Sequence, residues 1–254
     1  MALTTASRGW RAAQRAALCA ALCTFALLIP QFTSAATWAI DPVRIELSPD
    51  QQTTAITVRN DSDQATSIQI QAVAWSQHEG KDVYTPTREL LVSPPIVTIP
   101  AKGEQVLRVA LRRQPDTTME LSYRINLQEL PPQPTPGFMG LQVALRIGLP
   151  VFVQPQIGKA AARMDWLVSR APEHKLKVGL KNQGNAHVQI TDFSLYVSDA
   201  EQPIAGESGS SYVLAGQTRE WLVKMGPLEA GERLHLIANT DAGKVDTDLV
   251  PDRP

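Results

Sequence analysis

Few residues in this sequence have the types and spacing that catalysis or metal binding requires. Its histidines after residue 36 are scattered, and none stands at the spacing of a metal-ligand pair: His78, His174, His187 and His235. The phosphate-binding loop, the dinucleotide-binding fingerprint and the nucleophile elbow are absent from the sequence. We interpret each histidine as a surface or turn residue, and we predict no enzyme, no metal and no cofactor. A Ser-His-Asp site assembled from distant residues is the alternative that spacing leaves open.

The first 36 residues have the layout of a secretory signal peptide. Three arginines and no acidic residue form a basic start, an apolar run covers 16–30, and small residues occupy 33–36. The apolar run is shorter than the roughly 20 residues that a membrane-spanning helix needs. We therefore predict that residues 1–36 are removed on export to the periplasm, with a retained N-terminal anchor as the alternative.

The remaining chain must be stabilised by packing alone. Both cysteines, Cys19 and Cys23, lie inside the predicted signal peptide, so the mature protein has none for a disulfide or a zinc site. The formal net charge of -1 argues against nucleic-acid binding, which needs a basic surface. No later apolar stretch is long enough to span a membrane, so we expect no membrane insertion of the mature chain.

Short alternations of apolar and polar residues recur along the chain, separated by turn residues. They are typical of strands with one buried face, and the clearest lie at 55–59, 68–73, 106–111, 123–127, 141–147, 176–180, 193–197 and 234–238. No strong amphipathic helix is found. We predict an all-β protein made of β-sandwiches, with a domain boundary between Pro155 and Arg163. The proline-rich stretch 130–137 is interpreted as a loop, because strand patterns resume directly after it.

Five segments carry a resemblance to a known family. Residues 120–132 read ELSYRINLQELPP and resemble the signature stretch of the pilus, or fimbrial, assembly chaperones. Segments 40–44, 99–109, 141–145 and 180–188 resemble further parts of that family in the same order. The resemblance implies two immunoglobulin-like sandwiches set at an angle, with a cleft between them. The domains would be a signal peptide at 1–36, a first sandwich at 37–157 and a second at 158–254.

The resemblance also implies a function. Chaperones of this family bind pilus subunits in the periplasm by lending them a strand, and they hand the subunits to an outer-membrane usher. The apolar residues that would fill the subunit groove alternate along one strand: Met139, Leu141, Val143, Leu145 and Ile147. The pattern alone also fits an ordinary strand that faces its own core. An exposed strand of this kind would also permit self-association of the free protein.

The family anchors the subunit's C-terminal carboxylate with two basic residues. Arg44 matches the first, although a surface arginine beside Glu46 would give the same pattern. The second position is Pro150, which carries no charge. Arg146 and Arg88 are the candidates to replace it.

A second departure concerns the contact between the domains. The family joins two acids through an arginine, and Glu120 and Asp241 match the acids, but Gln154 occupies the position of the arginine. Two acids without their arginine would repel, so the triad is not transferred, and another base or another kind of contact must hold the domains. These departures resemble the divergent branch that serves spore-coat-protein-U-like subunits. A secreted sandwich that binds carbohydrate or inhibits a protease is the alternative function.

Overall fold

The structure is a computed structural model, and it describes residues 38–131, 143–197, 200–229 and 232–251. Within these ranges every regular element is a β-strand, as the sequence predicted. No helix in this part of the chain is long and apolar enough to cross a membrane.

The first sandwich contains the strands up to residue 153. They are β1 (Trp38–Asp41), β2 (Ile45–Leu47), β3 (Thr53–Asn60), β4 (Thr66–His78), β5 (Lys81–Pro86), β6 (Leu90–Ser93), β7 (Ile96–Ile99), β8 (Glu104–Leu111), β9 (Leu121–Leu130) and β10 (Arg146–Val153). One sheet has the order β1-β3-β8-β6. The other has the order β2-β10-β9-β4-β5, with β7 also paired to β4. Strand β10 therefore lies inside its sheet, parallel to β2 and antiparallel to β9.

The core of this sandwich is built by alternation along its strands. In β9, Tyr123, Ile125 and Leu127 are buried and face the core, while the residues between them face the other side of the sheet. The buried cluster draws on both sheets, for example Leu107 from β8 and Val151 from β10. Because β10 lies between β2 and β9, the residues of its outer face lie beside those of both strands.

The second sandwich follows after a ten-residue connection. Its strands are β11 (Met164–Ala171), β12 (Lys175–Asn182), β13 (Val188–Val197), β14 (Ala205–Val213), β15 (Thr218–Lys224), β16 (Leu234–Thr240) and β17 (Gly243–Leu249). The sheets have the orders β11-β12-β15 and β14-β13-β16-β17. Its core is a separate buried cluster that includes Leu180, Phe193 and Leu236. The prediction of an all-β, two-sandwich fold is confirmed.

A buried asparagine ends one strand in each sandwich. Asn60 donates through Nδ2 to the carbonyl oxygens of Gln64, Ile99 and Pro100 at 2.7, 3.3 and 3.1 Å. The amide thus closes its own turn and ties that turn to a loop about 40 residues later. The amide donates to backbone carbonyls that are shielded from water at the end of the strand.

Asn182 makes the same contacts in the second sandwich. Its Nδ2 donates to the carbonyls of Ala186, Val213 and Leu214 at 2.7, 3.1 and 3.3 Å. Its side-chain oxygen accepts from the backbone of Gly184 at 3.0 Å. The turn 182–186 is therefore held in place just before the segment that contacts the first sandwich.

Candidate functional site

A cavity of about 410 Å³ lies between the two sandwiches. The first sandwich contributes Arg44, Glu120 and Phe152 to its walls, and the second contributes His187 and Asp241. Acidic and basic groups from both sandwiches thus meet in one place, although they are far apart in the sequence.

An aromatic cluster forms the apolar part of this contact. Trp75 and Phe152 project from the outer face of the first sandwich and are buried against Tyr212 and Leu214 of the second. The His187 ring stacks on Phe152 with ring centroids 3.4 Å apart and an angle of 8° between the planes. Covering these rings removes apolar surface from water, and it fixes the plane of the imidazole.

His187 bridges two carboxylates. Its Nδ1 lies 2.7 Å from Glu120 Oε1, and its Nε2 lies 3.6 Å from Asp241 Oδ2. The backbone N–H of His187 also donates to Glu120 Oε1 at 3.0 Å. Burial alone would lower the pKa of His187, but the bonds to Asp241 and Glu120 outweigh it and raise that pKa above its usual value.

The Asp241 carboxylate accepts hydrogen bonds from several donors. It accepts from the Gln189 backbone at 2.8 Å and from Arg44 Nη1 at 2.7 Å. Burial opposes ionisation, but His187, the Gln189 N–H and Arg44 together lower the pKa of Asp241 to about 2. The carboxylate is therefore charged across the physiological range.

Arg44 lies at this junction rather than on open surface. It pairs with Asp241 and, through Nε, with Glu46 at 3.3 Å. Burial lowers the pKa of Arg44, but the bond to Asp241 and the two acids raise it. The sequence placed Arg44 beside Glu46 correctly but did not foresee its bond to Asp241.

The contact between the two acids follows one of the two alternatives that the sequence left open, and one interpretation is corrected. Glu120 and Asp241 do not stand as a repelling pair, because His187 lies between them and supplies the base. The interpretation of His187 as a surface or turn residue was therefore wrong. The sequence left another base open, because two acids are retained without the arginine at Gln154, but it did not identify His187 as that base.

The two candidates for the second anchor lie elsewhere. Arg146 opens β10, is exposed, and lines a separate pocket of about 140 Å³ with side-chain amides such as Asn126 and Gln128. Arg88 is exposed on the connection between β5 and β6. Of the arginines that the structure describes, only Arg44 lines the cavity between the sandwiches.

The predicted donor strand is described only in part. Met139 and Leu141 lie outside the described residues. Val143 is 71% exposed. Leu145 is half-buried and bonded to β9, since the Glu129 N–H donates to its carbonyl at 2.8 Å. Ile147 packs against the core of its own sandwich, which agrees with the ordinary-strand alternative for this residue.

Arg124 is a second side chain that the sequence analysis did not single out. It stands on β9 directly opposite Pro150 of β10. Its guanidinium carbon lies 4.8 Å from the Trp75 ring centroid and 5.5 Å from that of Tyr84. Only the strand register reveals that a cation faces the proline.

Residues 38–158 match the family described as "Pili and flagellar-assembly chaperone, PapD N-terminal domain". Residues 38–158 therefore form an N-terminal domain of the pilus-chaperone family. The match covers every strand of the first sandwich, and it confirms the family predicted from the sequence. No curated protein sequence matches the chain.

Solved structures of pilus chaperones share the fold. The CsuC-CsuE chaperone–tip adhesion subunit pre-assembly complex, from archaic chaperone-usher Csu pili of Acinetobacter baumannii, contains a chain that is 20% identical, with a TM-score of 0.63 over 84% of this chain and 98% of that one. The CupB2 chaperone of Pseudomonas aeruginosa is 19% identical, with a TM-score of 0.56 over 84% and 100%. A chain of the Salmonella enterica SafA pilin–SafB chaperone complex is 18% identical, with a TM-score of 0.57 over 86% and 97%. At these identities the likeness establishes the fold.

Proposed function

We propose that this protein is a periplasmic, non-enzymatic chaperone that captures pilus subunits by donor-strand complementation and passes them to an outer-membrane usher. The observation that carries the proposal is the exposed Val143 just before β10, in a sandwich that belongs to the pilus-chaperone family. The signal-peptide pattern of residues 1–36 supports the periplasmic location.

The physical logic is that of strand addition. A subunit that lacks one strand exposes an apolar groove and two unpaired sheet edges, which promote aggregation. A lent strand pairs with those edges and fills the groove with alternate side chains. Each fully buried Val or Leu contributes about 1.5–3 kcal/mol before ordering costs are subtracted. Met139, Leu141, Val143 and Leu145 are the residues that we assign to this role, and Ile147 contributes by fixing the strand to the core.

Arg44 is the residue that we assign to the subunit's terminal carboxylate. Its guanidinium can bind a carboxylate with two parallel hydrogen bonds, and it lines the cavity between the sandwiches. Asp241 and Glu46 hold its orientation in the free protein. The subunit carboxylate would have to share Arg44 with these acids, so a second cation nearby would favour binding.

The tryptophans argue against the alternative of a carbohydrate-binding or inhibitory sandwich. Such modules present aromatic rings on exposed loops. The described tryptophans instead are buried or pack against the cores and the domain contact: Trp38, Trp75, Trp166 and Trp221. The departures at Pro150 and Gln154 support a place in the divergent, archaic branch, and the CsuC-CsuE complex is described as archaic.

The donor strand is tested by Val143→Glu. A buried carboxylate in the subunit groove is strongly unfavourable, so we expect capture of co-expressed pilus subunits from the same genome to be abolished while the chaperone stays folded. The measurement is co-purification from periplasmic extract. Val106→Glu is the matched control, since Val106 is an exposed valine on β8, 46% accessible and outside the donor strand. Unchanged subunit yield with Val143→Glu would contradict the assignment.

The anchor is tested by Arg44→Ala. Loss of a charge-assisted bond of about 1.5–3 kcal/mol should weaken subunit affinity by about tenfold or more. Asp241→Asn is the control, because it removes the same ion pair but keeps the arginine. If Asp241→Asn weakens capture as much as Arg44→Ala does, Arg44 acts through the domain contact and not on the subunit.

A further inference from the structure

The register of the sheet that contains β10 places two arginines on either side of Pro150. Arg124 of β9 is its direct partner across the antiparallel pair. Arg44 precedes Ile45, whose partner in β10 is Val151, so Arg44 stands beside Pro150 on the other side. Directly opposed residues project from the same face of a sheet. The two arginine backbones are two strand spacings apart, about 10 Å, with the buried proline between them.

The side chain of Arg124 is held in one orientation. It lies over Trp75, and its Nη1 donates to the Tyr84 hydroxyl at 2.5 Å. Gly148 makes room for it, because a Cβ at that position would stand 3.0 Å from Arg124 Cδ and 3.3 Å from Nε. A guanidinium fixed in this way loses little conformational freedom when it binds an anion.

The charges of the two arginines are balanced differently. Arg44 has Asp241 and Glu46 as partners. Among the described residues no carboxylate lies within 4.0 Å of the Arg124 guanidinium, and its buried Nε has no hydrogen-bond acceptor. The charge of this guanidinium is thus not balanced by a carboxylate of the described residues, so the site is suited to an anion from outside the chain.

Tyr212 links the two arginines. Burial raises the pKa of its hydroxyl, while the charges of Arg44 and Arg124 both oppose that rise. One phenol thus lies within the field of both guanidinium groups, which places them on the same side of the sheet.

We propose that Arg124 is the second base of the carboxylate-binding site, so that a chain-terminal carboxylate bound over Pro150 is held between Arg44 and Arg124. This proposal rests on the proposed function. It assigns the second basic role to Arg124, which lies opposite the uncharged Pro150 in the strand register. Arg146 is four residues along β10, about 13 Å away, and stands among side-chain amides.

The assignment is tested with a minimal probe. N-acetyl-dialanine and its C-terminal amide are titrated separately into the purified protein, and the Nε–Hε resonance of Arg124 is followed by NMR. We expect a saturable shift with the free acid and none with the amide. Arg124→Gln should weaken binding of the acid by about fivefold or more, since one charge-assisted contact is lost.

Three variants serve as controls. Arg219→Gln removes another arginine that lies over a tryptophan, Trp221, but in the second sandwich. Lys159→Gln removes the exposed lysine that lines the cavity with Arg44. Both should bind the acid like the wild type. Gly148→Ala keeps the charge but crowds the Arg124 side chain, and it should give an intermediate loss. Thermal unfolding of each variant separates lost binding from lost folding.

Four outcomes overturn the assignment. Equal shifts with acid and amide, or normal acid binding by Arg124→Gln, would make Arg124 a structural cation of the domain contact only. Loss of binding in Lys159→Gln instead would transfer the role to the connection. The proposed function fails separately, if the wild-type protein captures no co-expressed pilus subunit. Capture that Val143→Glu abolishes and Arg124→Gln leaves unchanged would remove Arg124 alone.

Discussion

The turns after Asn60 and Asn182 are built alike but face different surroundings. In both, a buried amide closes a five-residue turn and holds two carbonyls of a distant loop. After Asn60 the turn carries exposed ion pairs, such as Arg59 with Asp61 at 2.8 Å. After Asn182 the next residues contact the other sandwich. The same local element therefore stabilises a solvent-exposed turn in the first sandwich, and it positions the contact between the sandwiches in the second.

The second turn shows how this positioning works. The Glu120 N–H donates to the Asn185 carbonyl at 2.9 Å, and Asn185 Nδ2 donates to the Thr118 carbonyl at 3.0 Å. His187 follows two residues later and meets the Glu120 carboxylate. The turn thus positions His187, the base that lies between Glu120 and Asp241.

Removing either amide should give the largest effect. Asn60→Ala and Asn182→Ala each leave three carbonyls without this donor, so we expect a loss of about 3 kcal/mol or more in the free energy of unfolding. Denaturant unfolding followed by tryptophan fluorescence measures it. Only Asn182→Ala should also lower the pKa of His187, as read by NMR titration.

The matched pair sharpens the comparison, because both variants delete the same group. A loss below about 1 kcal/mol in either would show that water replaces the amide. An unchanged His187 titration in Asn182→Ala would show that Glu120 and Asp241 position the ring without help from the turn.

Substitutions at the third residue of each turn, Gly184 and Ser62, should differ by a smaller amount in their loss of stability. A Cβ on Gly184 would stand 2.2 Å from the Ala161 carbonyl oxygen, whereas Ser62 already carries a side chain at the corresponding position. We expect Gly184→Ala to cost about 2–3 kcal/mol through backbone displacement, and Ser62→Ala about 1 kcal/mol through a lost hydrogen bond. Thermal unfolding compares them, and equal costs would contradict the difference in packing.

The pH dependence tests the domain contact and should be the smallest effect. Folding raises the pKa of His187, so protonated His187 stabilises the folded protein. This contribution is fully present below the pKa of the unfolded state and is lost as pH rises through the pKa of the folded state. The contribution of Asp241, with its lowered pKa of about 2, is instead lost as pH falls toward that value.

We therefore expect His187→Gln to lower stability by about 1.5 kcal/mol at pH 6 and by less at pH 9. Melting temperatures measured across this range are the readout, with His78→Gln as the control, since His78 is exposed on the end of β4. Parallel pH profiles for wild type and His187→Gln would contradict the bridge.

The strands with one buried face were predictable because alternation is written in the sequence. Strand β9 shows it through Tyr123, Ile125 and Leu127. Strands β5 and β14 were not predicted, since one is exposed along its whole length and the other is rich in exposed Ser and Gly. Their pairing depends on neighbours, not on their own pattern.

From the sequence, a site residue could be predicted only where its residue type and local motif suggest its role. Arg44 could be named, but its partner Asp241 lies 197 residues away in the chain. His187 and Arg124 required the pairing of distant strands. Ile147 shows the converse limit, because an apolar alternation does not reveal whether its face meets its own core or a partner's groove.

The facing of Arg124 and Pro150 has an evolutionary consequence. A lysine introduced at position 150 would stand directly across from a guanidinium, and any larger residue at position 148 would displace it. Positions 124, 148 and 150 should thus be inherited as a set. A chain with a cation at position 150 is therefore expected to carry no arginine at position 124.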